Sequence, residues 1–416
     1  MTWFKIALRN IFKNGRRSFF TILAIGVGFA AVNIFGGFES YIFRGLRDAP
    51  IYAQGEGHLA VFKKGTRIFD REIDPVRCLI SGDEQKSARK IVEKYPEVIL
   101  MTGQLRISGL LSNGDVSTVF IASGRVPSDM REIRSHGRGM IGTIRLYTGK
   151  PLQDSLSYGI GLSSGLARKL KVGIGSDVIA MAPTTDGQIN ALDARVMQLF
   201  ESPAASLNDK LMFVPLKFAQ SLYDTDGTDR LVVLLKDTRM SEAMKKELNR
   251  AFTAAGIDLE VKTWEDIAPF YTKVKNMFRI IFLFLFVIVL VIVVMSIINT
   301  MSMTVMERIR EIGTLRSLGI RRRGIVLLFA IESALLGIFG SFLGLVLTLA
   351  GWLAVRMARP TWVPPHITKR VPIEVYLVPE YLVLTGVFLV ALSLIAAVLP
   401  ARRASGMNIV DALGHV

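Results

Sequence analysis

Residues 280–298 read Ile280-Ile-Phe-Leu-Phe-Leu-Phe-Val-Ile-Val-Leu-Val-Ile-Val-Val-Met-Ser-Ile-Ile298, with no charge, glycine or proline. A hydrocarbon core about 30 Å thick takes roughly 20 apolar residues at 1.5 Å rise each, so this run can span a bilayer. Three more segments pass the same test. They are Phe19–Phe38, Ile325–Val355 (interrupted only by Glu332) and the uncharged Tyr381–Leu399. Basic residues precede the first, but its apolar run exceeds the ~7–15 residues of a signal peptide and no small-x-small cleavage site follows. It reads as an uncleaved anchor. The expected fold is an integral membrane α-helical protein with four transmembrane helices and an inserted extracytoplasmic α/β (α+β) domain.

The composition agrees. Of 416 residues, 50% are hydrophobic, and the mean hydropathy is +0.40. Cys78 is the one cysteine, so no internal disulfide can form. The net charge of +16 invites a nucleic-acid reading, but its distribution argues against one. Residues 1–18, 304–324 and the tail after Pro400 together carry +10, whereas residues 44–276 carry only +5. Positive charge beside membrane spans marks cytoplasmic segments. Both termini and the 304–324 loop are therefore expected in the cytoplasm of an inner-membrane protein, with 44–276 and 356–376 outside.

The expected division follows. Residues 1–17 form an amphipathic helix and 18–43 the first span. Residues 44–270 form the outer domain, and 271–303 the second span with a stalk. Residues 304–324 are a cytoplasmic loop, 325–355 the third span and 356–376 an outer loop. Residues 377–400 are the fourth span and 401–416 a cytoplasmic tail. In Thr2–Asn14, Trp3, Phe4, Ala7, Leu8, Ile11 and Phe12 recur at three- and four-residue spacing. That pattern suits a helix lying in the interface, or an extension of the first span. In the outer domain, strand-like runs are Glu56–Phe62, Val116–Ala122, Asp177–Met181, Arg195–Phe200, Leu211–Val214, Arg230–Leu235 and Leu259–Lys262. Helix-like runs are Glu84–Lys94, Leu162–Leu170 and Ser241–Ala255, the last with Ser241 as N-cap and Gly256 past its end. A helical pattern resumes near Trp264 and meets no break after Pro269, so one helix is expected from the outer domain into the second span.

Intrinsic chemistry has little support. No G-x-x-x-x-G-K-[ST] phosphate loop occurs. The glycines of Gly159-Ile-Gly161-Leu-Ser-Ser-Gly165 follow no convincing strand and read as a turn. His58, His136, His366 and His415 have no metal spacing. The chain is expected to be no enzyme and to bind no cofactor itself.

The loop Met306-Glu-Arg-Ile-Arg-Glu-Ile-Gly-Thr-Leu-Arg-Ser-Leu-Gly-Ile-Arg-Arg-Arg-Gly324 carries the strongest signal. Ile309, Ile312, Leu315 and Ile320 can share one helical face, with Leu318 near it. Gly319 suits a C-terminal cap, and Glu307, Arg310 and Glu311 are spaced for surface pairs. The segment is either a solvated connector or a helix that docks on a cytoplasmic partner. In the third span, Gly337 precedes a G-x-x-x-G pair, Gly340 and Gly344, that permits close helix approach. Glu332, about eight residues into that span, needs a partner or water. An arginine near the cytoplasmic face would serve as a structural pair, and a moving contact or proton relay are the other readings.

Glu307-Arg-Ile-Arg-Glu-Ile-Gly313, Leu318-Gly319, Phe329-x-x-Glu332-Ser333 and the span-three glycines together resemble the FtsX/MacB-type ABC permease core. Pro400-Ala-Arg-Arg-Ala-Ser-Gly-Met-Asn-Ile-Val-Asp-Ala412-Leu413 resembles that family's C-terminal signature, with Asn408 where the family usually has proline. Ala7-Leu-Arg-Asn10 and Arg16-Arg17 also match. In the outer domain, Gly161-Leu162, Leu166-Ala167, Leu170-x-Val172 and Gly175-x-x-Val178 resemble the lipoprotein-releasing LolC/LolE-like branch and its MacB-like periplasmic core domain. No hook-like chaperone loop of that branch is identifiable.

The resemblance implies a permease paired with a second copy or paralogue above two separate ABC ATPase subunits, which hold the ATP and Mg. A periplasmic chaperone or adaptor and membrane lipids are further implied partners; nucleic acid is not. The coupling residues would be Glu307, Arg308, Arg310, Glu311, Gly313, Leu315, Leu318 and Gly319. Extraction or export of an amphiphilic substrate (lipoprotein, lipid or peptide) is the first functional reading. Mechanical activation of an outer partner such as a cell-wall hydrolase is the second, and a plain anchor the third.

Overall fold

Unbroken apolar sequence leaves a chain in lipid no alternative to satisfying its own backbone, and helices do this within one segment. The computed structural model describes residues 2–13, 15–66, 76–137, 147–202, 205–362 and 371–406. In chain order its helices are α1 (Thr2–Lys13), α2 (Gly15–Asp48), α3 (Gly82–Val92), α4 (Pro127–Ser135), α5 (Ser164–Leu170), α6 (Leu216–Tyr223), α7 (Ser241–Ala254), α8 (Trp264–Ile267), α9 (Pro269–Glu307), α10 (Ile309–Ser317), α11 (Arg322–Ala358) and α12 (Pro379–Gly406). The strands of the larger sheet are β1 (Leu59–Lys63), β2 (Val98–Ser112), β3 (Ser117–Arg125), β4 (Tyr147–Gly149), β5 (Gly159–Ser163), β6 (Asp177–Pro183), β7 (Ile189–Phe200), β8 (Leu211–Pro215), β9 (Arg230–Leu235) and β10 (Leu259–Thr263), and two short strands, β11 (Thr361–Trp362) and β12 (Val371–Pro372), pair separately. The chain divides into two compact units. One holds residues 1–43, 274–362 and 372–416, the other 44–273 and 363–371.

The first unit is helical. Among the described residues, four helices are long and apolar enough to cross a membrane: α2, α9, α11 and α12. They share a core with α1 and α10, built from Ala7 and Ile11, Ile25 and Phe29, Val293, Ile297 and Met301, Ile312, Phe329 and Leu336, and Leu389 and Ala397. α1 thus sinks Ala7 and Ile11 into the bundle while Phe4 and Phe12 stay exposed. The apolar face expected to rest in an interface is divided between the two surroundings. α9 leaves Leu283, Phe284, Val287 and Val291 exposed, as a helix that is apolar all round does when lipid surrounds it.

The second unit is a mixed sheet with helices. Its strand order is β10-β1-β9-β2-β3-β8-β5-β7-β4, with β6 pairing both β2 and β7. β3–β8 and β5–β7 run parallel, and the other strand pairs are antiparallel. β9 is buried along its whole length, as its run Leu-Val-Val-Leu-Leu suggests. Two cores form. Ala88 and Val92 of α3 and Met244, Leu248 and Phe252 of α7 pack on β1, β2, β9 and β10. Leu166 and Leu170 of α5 and Phe218 and Leu222 of α6 pack on β2, β3 and β5–β8. Asn249 ties α7 to the terminal strand β10. Its Oδ1 accepts from Val261 N at 2.9 Å and its Nδ2 donates to Val261 O at 3.2 Å, which satisfies backbone groups that a sheet edge otherwise leaves open.

The structure departs from the expected elements at several places. Gly159–Ser163 is a fully buried strand rather than a turn, and the helix after it starts at Ser164, not Leu162. The first strand starts at Leu59, not Glu56, because Gly57 holds a positive φ of 64° that no strand has. Met240, not Ser241, is the N-cap of α7, and Ser241 Oγ donates back to Thr238 O at 2.7 Å. α3 starts at Gly82, capped by a reciprocal Ser81–Glu84 box. The helix from Trp264 stops at Ala268 (φ −109°, ψ 69°) before α9 begins at Pro269, because the residue before a proline avoids the helical region.

His58 lies fully buried in the second unit. Its Nδ1 accepts from Leu235 N at 3.0 Å, and its Nε2 sits 3.0 Å from Thr238 Oγ1. Burial, aided by the charge of Arg47, pushes its imidazole down from the usual 6.5 to about 4. The folded chain therefore keeps a neutral ring where the unfolded chain takes up a proton. The stability that this gives is complete above pH 6.5 and is lost as pH falls through 4, on the order of 3 kcal/mol. Acid unfolding followed by tryptophan fluorescence should show this slope, and His58→Gln should flatten it. An unchanged slope would mean that other groups set the acid limit.

Candidate functional site

The site begins where the longest helix stops. α9 ends at Glu307, and Arg308 leaves helical geometry (φ −115°, ψ 16°) before α10 resumes at Ile309. Within the loop Met306–Gly324 the helix is thus Ile309–Ser317, set off by this one residue. α10 closes with a left-handed Gly319 (φ 92°). Gly319 N donates to Arg316 O at 3.0 Å and Ile320 N to Leu315 O at 3.2 Å, the double bond of a Schellman cap. A side chain at 319 would strain that turn, which is why glycine stands there.

α10 has two faces. Ile309, Ile312 and Gly313 are buried, and Leu315 packs partly against the same core. Arg310, Glu311 and Thr314 are exposed. Leu318, expected near the apolar face, is instead 76% exposed, because the chain turns out of the helix there. Met306 and Glu307 are exposed beside them. The outer face therefore offers two apolar side chains among charges.

Arg308 is the buried centre of the junction. Its Nη1 lies 3.8 Å from Glu332 Oε2 on α11, and its Nε lies 3.9 Å from Glu311 Oε2 on α10. Glu332 is 3% exposed, with the Asn10 amide of α1 beside it. One guanidinium so joins the end of α9, the start of α10 and the third span, the arginine pairing considered for Glu332. Two further ion pairs bind the N-terminal segment to the same place. Arg17 pairs with Glu307, and Lys13 lies 3.8 Å from Glu311. Exposed pairs of that kind contribute under about 1 kcal/mol each, so the buried contact dominates. The sequence reading missed Asn10, Lys13 and Arg17 as part of this site. Lys13 and Arg17 read as topology signals and Asn10 and Arg17 as parts of the family resemblance, and nothing in their local pattern names a partner such as Glu307, 290 residues from Arg17.

The glycines of α11 sit elsewhere in the bundle. A Cβ on Gly340 would come within 2.5 Å of Ile25, one on Gly344 within 2.5 Å of Phe29, and one on Gly337 within 2.9 Å of Ser393. The G-x-x-x-G pair thus faces α2, and Gly337 faces α12. The C-terminal signature from residue 407 onward, including Asn408, lies outside the described residues, as do His366 and His415. Among the described residues no group of His, Cys, Asp or Glu could hold a metal ion.

Residues 283–409 match the family described as FtsX-like permease C-terminal. The chain is 25% identical over 298 residues to an uncharacterized ABC transporter permease of Methanocaldococcus jannaschii, covering 69% of each chain. It is 23% identical over 429 residues to the macrolide export ATP-binding/permease protein MacB of Chromobacterium violaceum, covering 99% of this chain and 60% of that one. It is 24% identical over 308 residues to the lipoprotein-releasing system transmembrane protein LolC of Neisseria meningitidis serogroup B, covering 70% and 72%.

Proposed function

From a chain that carries an FtsX-like permease domain and whose relatives are ABC transporter permeases, we propose that this protein is the permease subunit through which a separate ATPase drives an extracytoplasmic domain. The observation that carries the reading is the two-faced α10, joined through Arg308 to the end of α9 and to Glu332 of α11. A helix whose inner face is fixed in the bundle and whose outer face is free can receive a push without deforming itself. α9 then carries the displacement. Its 39 residues run without interruption from Pro269 to Glu307, about 58 Å at 1.5 Å per residue.

The basic stretches beside the spans support a cytoplasmic position for α10 and both termini, where two ATPase subunits would meet two permease chains, identical or paralogous. ATP and Mg belong to those subunits. The substrate is amphiphilic: a lipoprotein, lipid or peptide. The runs 280–298 and 381–399 contain no charge and offer a hydrophilic solute no polar path, which supports work on a membrane-associated substrate.

The test is reconstitution with the ATPase. Glu311→Lys reverses a charge on the exposed face. Gly313→Pro breaks the helix at a cost of about 3 kcal/mol. Both should lower permease-stimulated ATP hydrolysis at least tenfold and weaken copurification of the ATPase. If both variants assemble and stimulate hydrolysis normally, α10 is not the docking element. A wild-type complex that hydrolyses ATP yet releases no lipid-linked or peptide substrate would overturn the transport reading.

A further inference from the structure

The sheet unit has a cavity of about 60 Å³ lined on its polar side by Arg125, Arg131, Arg134, Tyr147 and Gln198, with Phe213 in its apolar wall. Among the described residues no carboxylate lines it. Arg125 is held rigidly at the end of β3. Its Nε donates to Ser123 Oγ at 2.8 Å, and its guanidinium lies 4.9 Å over the Phe213 ring. The nearest acid, Glu56, lies 3.9 Å from Arg125 and is already bound to Arg230 at 2.5 Å. Arg134 has no ion pair among the described residues. Arg134 Nε is buried without a hydrogen-bond partner among the described residues, and so is Gln198 Oε1. Unmet donors and acceptors of this kind cost roughly 1–3 kcal/mol each when buried, more when charged.

We propose that this cavity binds a phosphate group, either free phosphate or a phosphomonoester. Guanidinium forks match tetrahedral oxyanions and hold them by paired hydrogen bonds. A carboxylate would serve the arginines equally, but it brings no proton for Gln198 Oε1. A monoprotonated phosphate brings both acceptors and one P–OH donor. The size agrees, since a water takes roughly 10–15 Å³ of such space and the cavity holds a few times that, enough for one tetrahedral anion. Burial pulls Arg125 down to about 10 and lowers Arg134 as well. Both stay charged at neutral pH, and a bound anion would relieve the burial of that charge. The inference does not depend on the permease reading.

The test uses the full chain in zwitterionic nanodiscs, with thermal unfolding and titration calorimetry at constant ionic strength. Inorganic phosphate should bind saturably and raise the unfolding temperature, and acetate should bind at least tenfold more weakly. Arg134→Gln should lose at least tenfold in phosphate affinity while unfolding without phosphate at or above the wild-type temperature. Arg134→Lys should fall between them, and Gln198→Leu should bind phosphate several-fold more weakly. Tighter binding of soluble short-chain phosphatidic acid than of phosphate would assign the site to a lipid headgroup. Equal or weaker binding would assign it to the free anion. Acetate binding as tight as phosphate, no saturation, or Arg134→Gln binding like wild type would overturn the proposal.

Discussion

Replacing Arg308 with alanine should destabilise the helical unit by about 3–5 kcal/mol and abolish stimulation of the partner ATPase, although the residue itself is buried. Removing one member of a buried pair leaves the other charge uncompensated, and that penalty is the source of the magnitude. Here the remaining charge is Glu332, 3% exposed on α11. Its Oε2 already lacks a hydrogen-bond partner among the described residues, so the Arg308 charge 3.8 Å away is its main compensation. Glu332→Gln should cost less, because Arg308 keeps Glu311 at 3.9 Å. The double variant Arg308→Met with Glu332→Gln removes both charges and should recover most of the stability, since buried pairs replaced together by neutral groups are often near neutral. The cycle therefore separates two roles. Unfolding in detergent measures the stability of all four proteins, and ATPase stimulation measures coupling. A stable but uncoupled double variant would mark the pair as a mechanical link. Recovery of both would make it a structural pair only, and additive single costs would show that the two side chains do not interact.

What could be read in advance follows from range. The spans were legible because hydropathy is a local property and 19 uncharged residues permit little else in a bilayer. The apolar face of α10 was legible because Ile309, Ile312 and Leu315 repeat at helical spacing. Gly159–Ser163 was not, because two glycines in five residues erase the alternation that marks a strand. Its place is fixed by pairing with β7 and β8, contacts far off in sequence. The 15-residue β2 escaped for a related reason. It pairs with β3, β6 and β9, and much of it is covered on both faces, so its polar residues do not alternate with its apolar ones. Gln104 is buried there because its amide donates to Gly55 O at 2.7 Å. The arginine cavity was hidden altogether. Arg125, Arg134 and Gln198 come from three elements, and each alone reads as a surface residue.

Gly344→Ala should destabilise the helical unit by about 1–3 kcal/mol, the range for overpacking a filled interface, and Gly340→Ala should behave alike. In lipid, helices gain little from excluding water, so close backbone approach at small residues is a main source of their association. The added methyl at 344 would stand 2.5 Å from Phe29 Cβ and 2.7 Å from Phe29 Cγ. The Phe29 Cβ cannot swing aside by a side-chain rotation, so α2 or α11 must move. At 340 the obstacles are Ile25 Cγ2 at 2.5 Å and Cβ at 2.6 Å. Two other glycines serve as internal controls. Gly386→Ala meets only Phe29 Cε2 at 3.7 Å, and Gly351→Ala meets the flexible Ile34 Cδ1 at 2.8 Å; both should change stability by less than about 0.5 kcal/mol. Compensation adds a sharper check. Truncating Phe29 to alanine keeps its Cβ and should not rescue Gly344→Ala, whereas Phe29→Gly should rescue part of the clash. The G-x-x-x-G face is filled by α2 of the same chain, so the loss should appear as a lower unfolding temperature of each chain at any protein concentration. A loss that vanishes at high concentration would instead make Gly340 and Gly344 part of a contact between two chains.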